Sequence, residues 1–254
     1  MHYPKTPTFK LNNKRALITG AGRGIGLGAS LALAQAGSEI MMVSRTEKEL
    51  KKINNFLNNE GYSSSYNVLD VTELQETKQF IRDQEPFDIL VNNAGTNIPS
   101  SLINTEINDV EHVISLNLKS VINLTKYVVK KMLKKKISGS IINVSSIMGH
   151  VCSPNRTTYC STKFAIEGFT KALSLELAQK KIRVNSICPT YIQTPMTKPF
   201  LKDKKFKEYV LSMIPLGRLG KIEDIMGPLV FLASDASSLM TGTSLLIDGG
   251  WTAK

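Results

Sequence analysis

Tyr159 and Lys163 stand four residues apart in the stretch Tyr159-Cys160-Ser161-Thr162-Lys163. Around them Phe164, Ala165, Phe169, Ala172, Leu173, Leu175 and Leu177 recur at helical spacing, which predicts a helix over 157–178. Residues i and i+4 share a helix face, so the phenol and the ammonium are predicted to enter one site together. A free tyrosine titrates near ~10 and is a poor base at neutral pH. A cation about 4 Å away contributes roughly 4 kcal/mol at an effective dielectric of about 20, enough to bring the phenol near ~7. Such a pair passes a proton to or from an alcohol. Cys160 points away from Tyr159 on this helix and reads as a packing residue. The same spacing also occurs on ordinary surface helices, so its meaning depends on the elements that position it.

Those elements alternate. Strands are predicted at 14–19, 39–44, 64–69, 87–91, 140–144, 183–187 and 244–247. Helices are predicted at 24–35, 47–58, 73–83, 109–135 and 223–232, besides the one bearing Tyr159. Polar, lysine-rich sequence fills 197–209. Strands alternating with helices imply βαβ units, a parallel sheet covered on both faces and right-handed crossovers. The fold class is therefore α/β: one doubly wound domain over residues 1–254, with a seven-stranded parallel sheet.

Thr19-Gly20-Ala21-Gly22-Arg23-Gly24-Ile25-Gly26 joins the first strand to the first helix. A dinucleotide pyrophosphate binds at such a turn, because backbone N–H groups and the helix dipole favour an anion and glycines let the backbone approach it. The carboxylate that accepts from a ribose 2′-hydroxyl belongs about 20 residues on, at the end of the second strand. Ser44-Arg45 stands there instead. An arginine at that place suits a 2′-phosphate, with Arg23 to assist, so NADP(H) is favoured over NAD(H), which stays possible. Asp70, ending the third strand, either accepts from an adenine amino group or caps the next helix.

The net charge of +11 is carried mostly by lysine, with no recognised nucleic-acid motif, so nucleic-acid binding is not expected. The run Lys130–Lys136 suits a helix C-terminus and a solvated face. Three cysteines, 152, 160 and 188, form no CxxC pair, and no metal site is expected. No stretch approaches the ~20 apolar residues of a membrane span, and the polar start lacks a signal-peptide core, so a cytoplasmic protein is expected.

TGAGRGIG at 19–26, NNAG at 92–95, Asn117, the serine pair 145–146 and YCSTK at 159–163, with the closing Asp248-Gly249-Gly250, occur in this order along essentially the whole chain. In that combination the sequence resembles the short-chain dehydrogenase/reductase family, with its Rossmann-type fold. The resemblance implies Tyr159 as general acid/base and Lys163 as the residue that lowers its pKa and holds the nicotinamide ribose. It implies Ser146, thirteen residues before Tyr159, as the donor that orients the substrate oxygen, and Asn117 as the residue that opens its helix around a relay water. Gly20, Arg23, Gly24, Ile25 and Gly26 then hold the phosphates, Ser44 and Arg45 the adenosine ribose, and Asp70 and Val71 the adenine. Asn93, Ala94 and Gly95 line the cofactor, Pro189 and Ile192 cover the nicotinamide, and Thr194 contacts its amide or the phosphates. Thr190 departs from the glycine common after the proline, which puts the shape of that loop in question. A homotetramer or homodimer is implied by the C-terminal segment.

Substrate candidates are Asn97, Ser146, Met148, His150, Arg156 and Tyr191, beneath a lid at about 195–215. Arg156 and lysines 198, 202, 204 and 205 suit an anionic substrate; lysines on a solvated lid fit equally. Hydride transfer between a nicotinamide and a secondary alcohol or ketone is expected, on a sugar, a sugar acid or a 3-oxoacyl thioester. The alternative is a non-catalytic regulator that senses a dinucleotide on the same fold.

Overall fold

A computed structural model describes residues 3–253. Seven strands form one parallel sheet in the order β3-β2-β1-β4-β5-β6-β7. They are β1 (Arg15–Thr19), β2 (Glu39–Ser44), β3 (Ser64–Val68), β4 (Ile89–Asn92), β5 (Ser140–Val144), β6 (Arg183–Pro189) and β7 (Ser244–Ile247). The helices are α1 (Gly24–Gln35), α2 (Glu47–Asn59), α3 (Leu74–Asp83), α4 (Ile107–Ile114), α5 (Ser120–Lys134), α6 (Thr157–Leu177), α7 (Lys204–Met213) and α8 (Glu223–Ala233). The strand order reverses between β1 and β4, which opens a crevice at their carboxyl ends.

The central strands are apolar without alternation because both faces are covered. Ala16 and Ile18 pack with α1, α2 and α8 on one face. Leu17, one residue between them, packs with α3, α5 and the end of α6 on the other. Full burial of each such side chain contributes about 1.5–3 kcal/mol. A third, smaller cluster joins Met148, Cys160, Val210, Ile214 and Trp251. Cys160 is a packing residue there, as predicted.

Two elements differ from the sequence reading. The single helix predicted at 109–135 is α4 and α5 with a π turn, Ser115–Lys119, between them. The polar stretch after Thr197 is not all loop, since it contains most of α7. Asp203 caps α7 by accepting from the Phe206 N–H at 3.2 Å, and Phe206 and Val210 stand four apart on its inner face. Both signals were readable in the sequence; five lysines between 198 and 207 hid them.

Candidate active site

The glycine turn is locked to the NNAG segment by backbone geometry. Thr19 Oγ1 accepts from the N–H groups of Asn93 and Ala94, both at 3.0 Å. Asn93 Nδ2 donates to the carbonyls of Thr19 at 2.9 Å and Gly20 at 3.1 Å. Gly20 has φ +62°, and a Cβ there would stand 2.9 Å from the Ala94 Cα. A Cβ on Gly26 would stand 2.2 Å from the Gly20 carbonyl oxygen, so no side chain fits. The first turn of α1 has neither a side-chain cap nor an acidic residue, which leaves its N–H donors and the positive end of its dipole facing the crevice. These residues fit a pyrophosphate. Thr194 reaches over the same turn, its side chain 3.4 Å from where a Gly24 Cβ would lie.

At the adenosine end, Arg23 and Arg45 are exposed and paired. Arg23 lies 3.7 Å from Glu49, and Arg45 lies 3.4 Å from Asp70. Glu49, a carboxylate the sequence reading passed over, packs against Gly22 beside Ser44. Such exposed pairs contribute at most about 1 kcal/mol and exchange readily for a stronger anion. Asp70 Oδ1 accepts from the N–H and hydroxyl of Thr72 at 3.0 and 2.7 Å, which closes a turn ahead of α3; the helix itself starts from Glu73 without a side-chain cap, so the capping reading of Asp70 is corrected. Val71 is buried in the core, and only its backbone is available to a ligand.

Tyr159 and Lys163 share the inner face of α6, with Lys163 Nζ 5.5 Å from the Tyr159 ring centre. The predicted effect of the lysine on the phenol is not what the site delivers. Lys163 Nζ donates to the Val144 carbonyl at 2.9 Å, below the ring. Burial pushes the Tyr159 phenol up to about 12, while the Ser146 hydroxyl and the Arg156 charge act downwards. The expected value near 7 is therefore corrected: desolvation by burial is the largest influence on the phenol, and the groups that oppose it are Ser146 and Arg156 rather than Lys163. Burial likewise pulls the Lys163 ammonium down to about 8, opposed by Cys188 and Glu167. Ser146, just beyond β5, approaches the phenol and accepts from the Met148 N–H at 3.1 Å.

Asn117 sits inside the π turn. Its side chain exchanges bonds with the Thr96 backbone, accepting from the N–H at 2.8 Å and donating to the carbonyl at 2.9 Å. It also donates to Thr162 Oγ1 at 3.2 Å, which ties the turn to α6. π turns concentrate at functional sites.

A cavity opens beside Tyr159, lined by the predicted Asn97, Met148, Arg156 and Tyr191. Thr190, Met196, Thr197 and Phe200 complete it. Thr190 entered the sequence reading only as a departure from a motif. His150 does not line the cavity. Its Nε2 turns to Cys188 Sγ at 3.4 Å and to the Glu167 carboxylate at 3.7 Å. Cys188 and Ser186 also donate to Glu167, at 3.4 and 2.9 Å, and so does Ser244. His150, Glu167 and Cys188 hold metal-ligand atom types within 4.8 Å of one another. Burial and the Glu167 charge push the Cys188 thiol up to about 12, so it stays protonated, which fits a closed hydrogen-bonded cluster.

Comparison with known proteins places this geometry. The family model described as enoyl-(acyl carrier protein) reductase matches residues 20–252. The chain belongs to the short-chain dehydrogenase/reductase family. It is an oxidoreductase of that family, acting on CH–OH or carbonyl groups. The mouse L-xylulose reductase is 36% identical over 96% of this chain and 98% of the relative. The 3-oxoacyl-[acyl-carrier-protein] reductase of Thermotoga maritima is 39% identical over 95% and 99%. A gluconate 5-dehydrogenase of Burkholderia cenocepacia, solved with NADP and tartrate, superposes with a TM-score of 0.94 at 33% identity over 97% and 98%. Among the described residues no helix is long and apolar enough to cross a membrane.

Proposed function

We propose that this protein reduces a ketone to a secondary alcohol, or runs the reverse, with NADP(H). The observation that carries the reading is that Tyr159 lines the cavity, with the Ser146 hydroxyl at its phenol and Lys163 Nζ 5.5 Å from its ring, while the start of α1 is left uncapped. When bound, the nicotinamide supplies or accepts the hydride at the carbonyl carbon. Tyr159, protonated at neutral pH, gives its proton to the carbonyl oxygen, and Ser146 donates a hydrogen bond to the same oxygen as charge develops there. One ketone, one NADPH and one proton yield one alcohol and one NADP+. Lys163 would hold the nicotinamide ribose. Asn117 widens α4–α5 at a turn through which a water relays the proton back.

Arg23 and Arg45 would exchange Glu49 and Asp70 for the 2′-phosphate, and the NADP in the Burkholderia cenocepacia structure supports that choice. Residues 195–215, carrying α7, act as the substrate lid of a single domain. The chain assembles as a homodimer or homotetramer. The edge strand β7, with Leu246 exposed, and the exposed Phe164 and Leu175 of α6 support this. The relatives above are reductases or dehydrogenases by name, which weighs against a non-catalytic regulator. The test is NADPH oxidation, beside NADH, over a panel of ketoses, keto-sugar acids and 3-oxoacyl thioesters. Turnover with one class is expected; tight NADPH binding with no turnover on any of them would favour the regulator. Sedimentation at micromolar concentration is expected to give a dimer or tetramer, and a monomer would overturn the assembly.

A further inference from the structure

Arg156 is only 7% exposed, yet no carboxylate lies within ion-pair distance of it among the described residues. Its guanidinium rests on three rings instead, 5.1 Å from Phe200, 5.9 Å from Tyr191 and 6.0 Å from Phe206. One edge donor reaches the Tyr191 hydroxyl, and stacking on aromatic faces uses the plane of the group and leaves its other edge donors for an anion. Buried arginines are normally matched by an acid, and leaving one unmatched is costly. Arg156 is also the residue that opens α6, whose first turn holds no acidic side chain and no side-chain cap, so two positive ends meet at the cavity.

The cavity carries two further unmet polar atoms. Asn97 Oδ1 and Thr190 Oγ1 are buried without a hydrogen-bond partner, and both residues line it alongside Arg156 and Tyr159. Asn97 Oδ1 can only accept, so it calls for an O–H or N–H on the ligand.

We infer that Arg156 receives a carboxylate of the substrate while Asn97 and Thr190 take hydroxyls of its chain, which makes the substrate a hydroxylated keto acid. This rests on the reductase reading and narrows it. A neutral ketose brings hydroxyls for Asn97 and Thr190 but leaves the guanidinium unmatched. An acyl thioester brings methylenes to both. A polyhydroxy acid answers all three, and arginine takes a carboxylate through two parallel N–H donors.

The test compares gluconate with glucitol in the oxidative direction, and a keto-gluconate with the ketose of the same length in the reductive one. The members of each pair differ in a carboxylate. A wild-type kcat/KM ratio favouring the acid by roughly 10- to 150-fold is expected from a charge-assisted contact. Arg156→Gln is expected to reduce that ratio at least tenfold, and Arg156→Lys to restore part of it. NADPH fluorescence titration checks that each variant is folded. Calorimetric binding of gluconate and glucitol to the NADPH complex reads the same preference without turnover. A wild type that takes the neutral partner equally well, in turnover and in binding, overturns the carboxylate subsite while leaving the reductase reading intact. A ratio unchanged in Arg156→Gln overturns the role of Arg156. If every carbonyl fails while gluconate still binds through Arg156, the reductase reading falls and the subsite stands.

Discussion

At the end of β1 the Thr19 hydroxyl accepts two backbone N–H groups, and the Asn93 amide donates to two carbonyls. At the end of β6 the Thr190 hydroxyl has no partner, and Asn97 across the cavity has an orphaned carbonyl oxygen. Both regions lie at the carboxyl edge of one sheet. The first is closed by the protein's own hydrogen bonds, with atoms so near that glycine and asparagine are the residues that fit. The second keeps polar atoms and a charge in reserve. One half is specified by the backbone it must pack against, the other by a molecule that the chain does not contain.

Removing the acid that both halves serve should have the largest effect. Tyr159→Phe keeps the ring in place and loses the transferable proton. Turnover is expected to fall by about 100- to 10,000-fold while NADPH affinity stays near that of the wild type. A variant retaining most of the wild-type kcat would remove Tyr159 from the reaction. The pH profile sharpens the same point. The Tyr159 phenol, raised to about 12, remains protonated through neutrality, whereas the Lys163 ammonium, lowered to about 8, loses its proton as the pH rises through that value. Reductive kcat/KM is therefore expected to be flat near neutrality and to decline above about pH 8. A profile that rises through that value would assign the controlling group elsewhere.

Cofactor choice tests the closed half at its exposed rim. One arginine–phosphate contact gives roughly 10- to 150-fold discrimination, and screening at this open site holds the effect toward the lower end. Ser44→Asp with Arg45→Ala should swing kcat/KM toward NADH, by adding repulsion as well as removing attraction. A wild type that already prefers NADH would show that Glu49 and Asp70 keep the arginines. The smallest effects concern stability. Asn93→Ala orphans two carbonyls and should cost about 1–3 kcal/mol in urea unfolding. Thr190→Val removes a hydroxyl that bonds to nothing in the protein and should stay within about 0.5 kcal/mol of the wild type. Equal losses in the two variants would erase the contrast between the halves.

The same contrast explains what the sequence made legible. The strand–helix alternation was readable from periodicity, and the glycine turn, NNAG and the Tyr159–Lys163 face from their fixed residue types, because close backbone approach leaves few residue choices. The electrostatics were not. Burial reverses the expected fall in the Tyr159 pKa, and burial is not written in a four-residue spacing. Asn97, Met148, Arg156 and Tyr191 were found as cavity residues, but His150 belongs to a cluster with Glu167 and Cys188, partners 17 and 38 residues away that only tertiary packing unites. The π turn was invisible to periodicity, because one surplus residue barely disturbs a helical pattern; only the resemblance pointed to a helix opened at Asn117.

That surplus residue fixes the length of the chain at one point. A π turn holds one residue more than the α-helical ladder requires, and each residue of an α-helix advances about 100° around the axis. Deleting Lys119 would let α4 and α5 merge into one regular helix and would rotate Asn117 out from between Thr96 and Thr162. Such a deletion is expected to raise the helix content seen by circular dichroism while turnover collapses; full turnover would show the extra residue to be idle. The helix stands one deletion short of its most regular form, and the irregularity is what keeps an amide between Thr96 and Thr162.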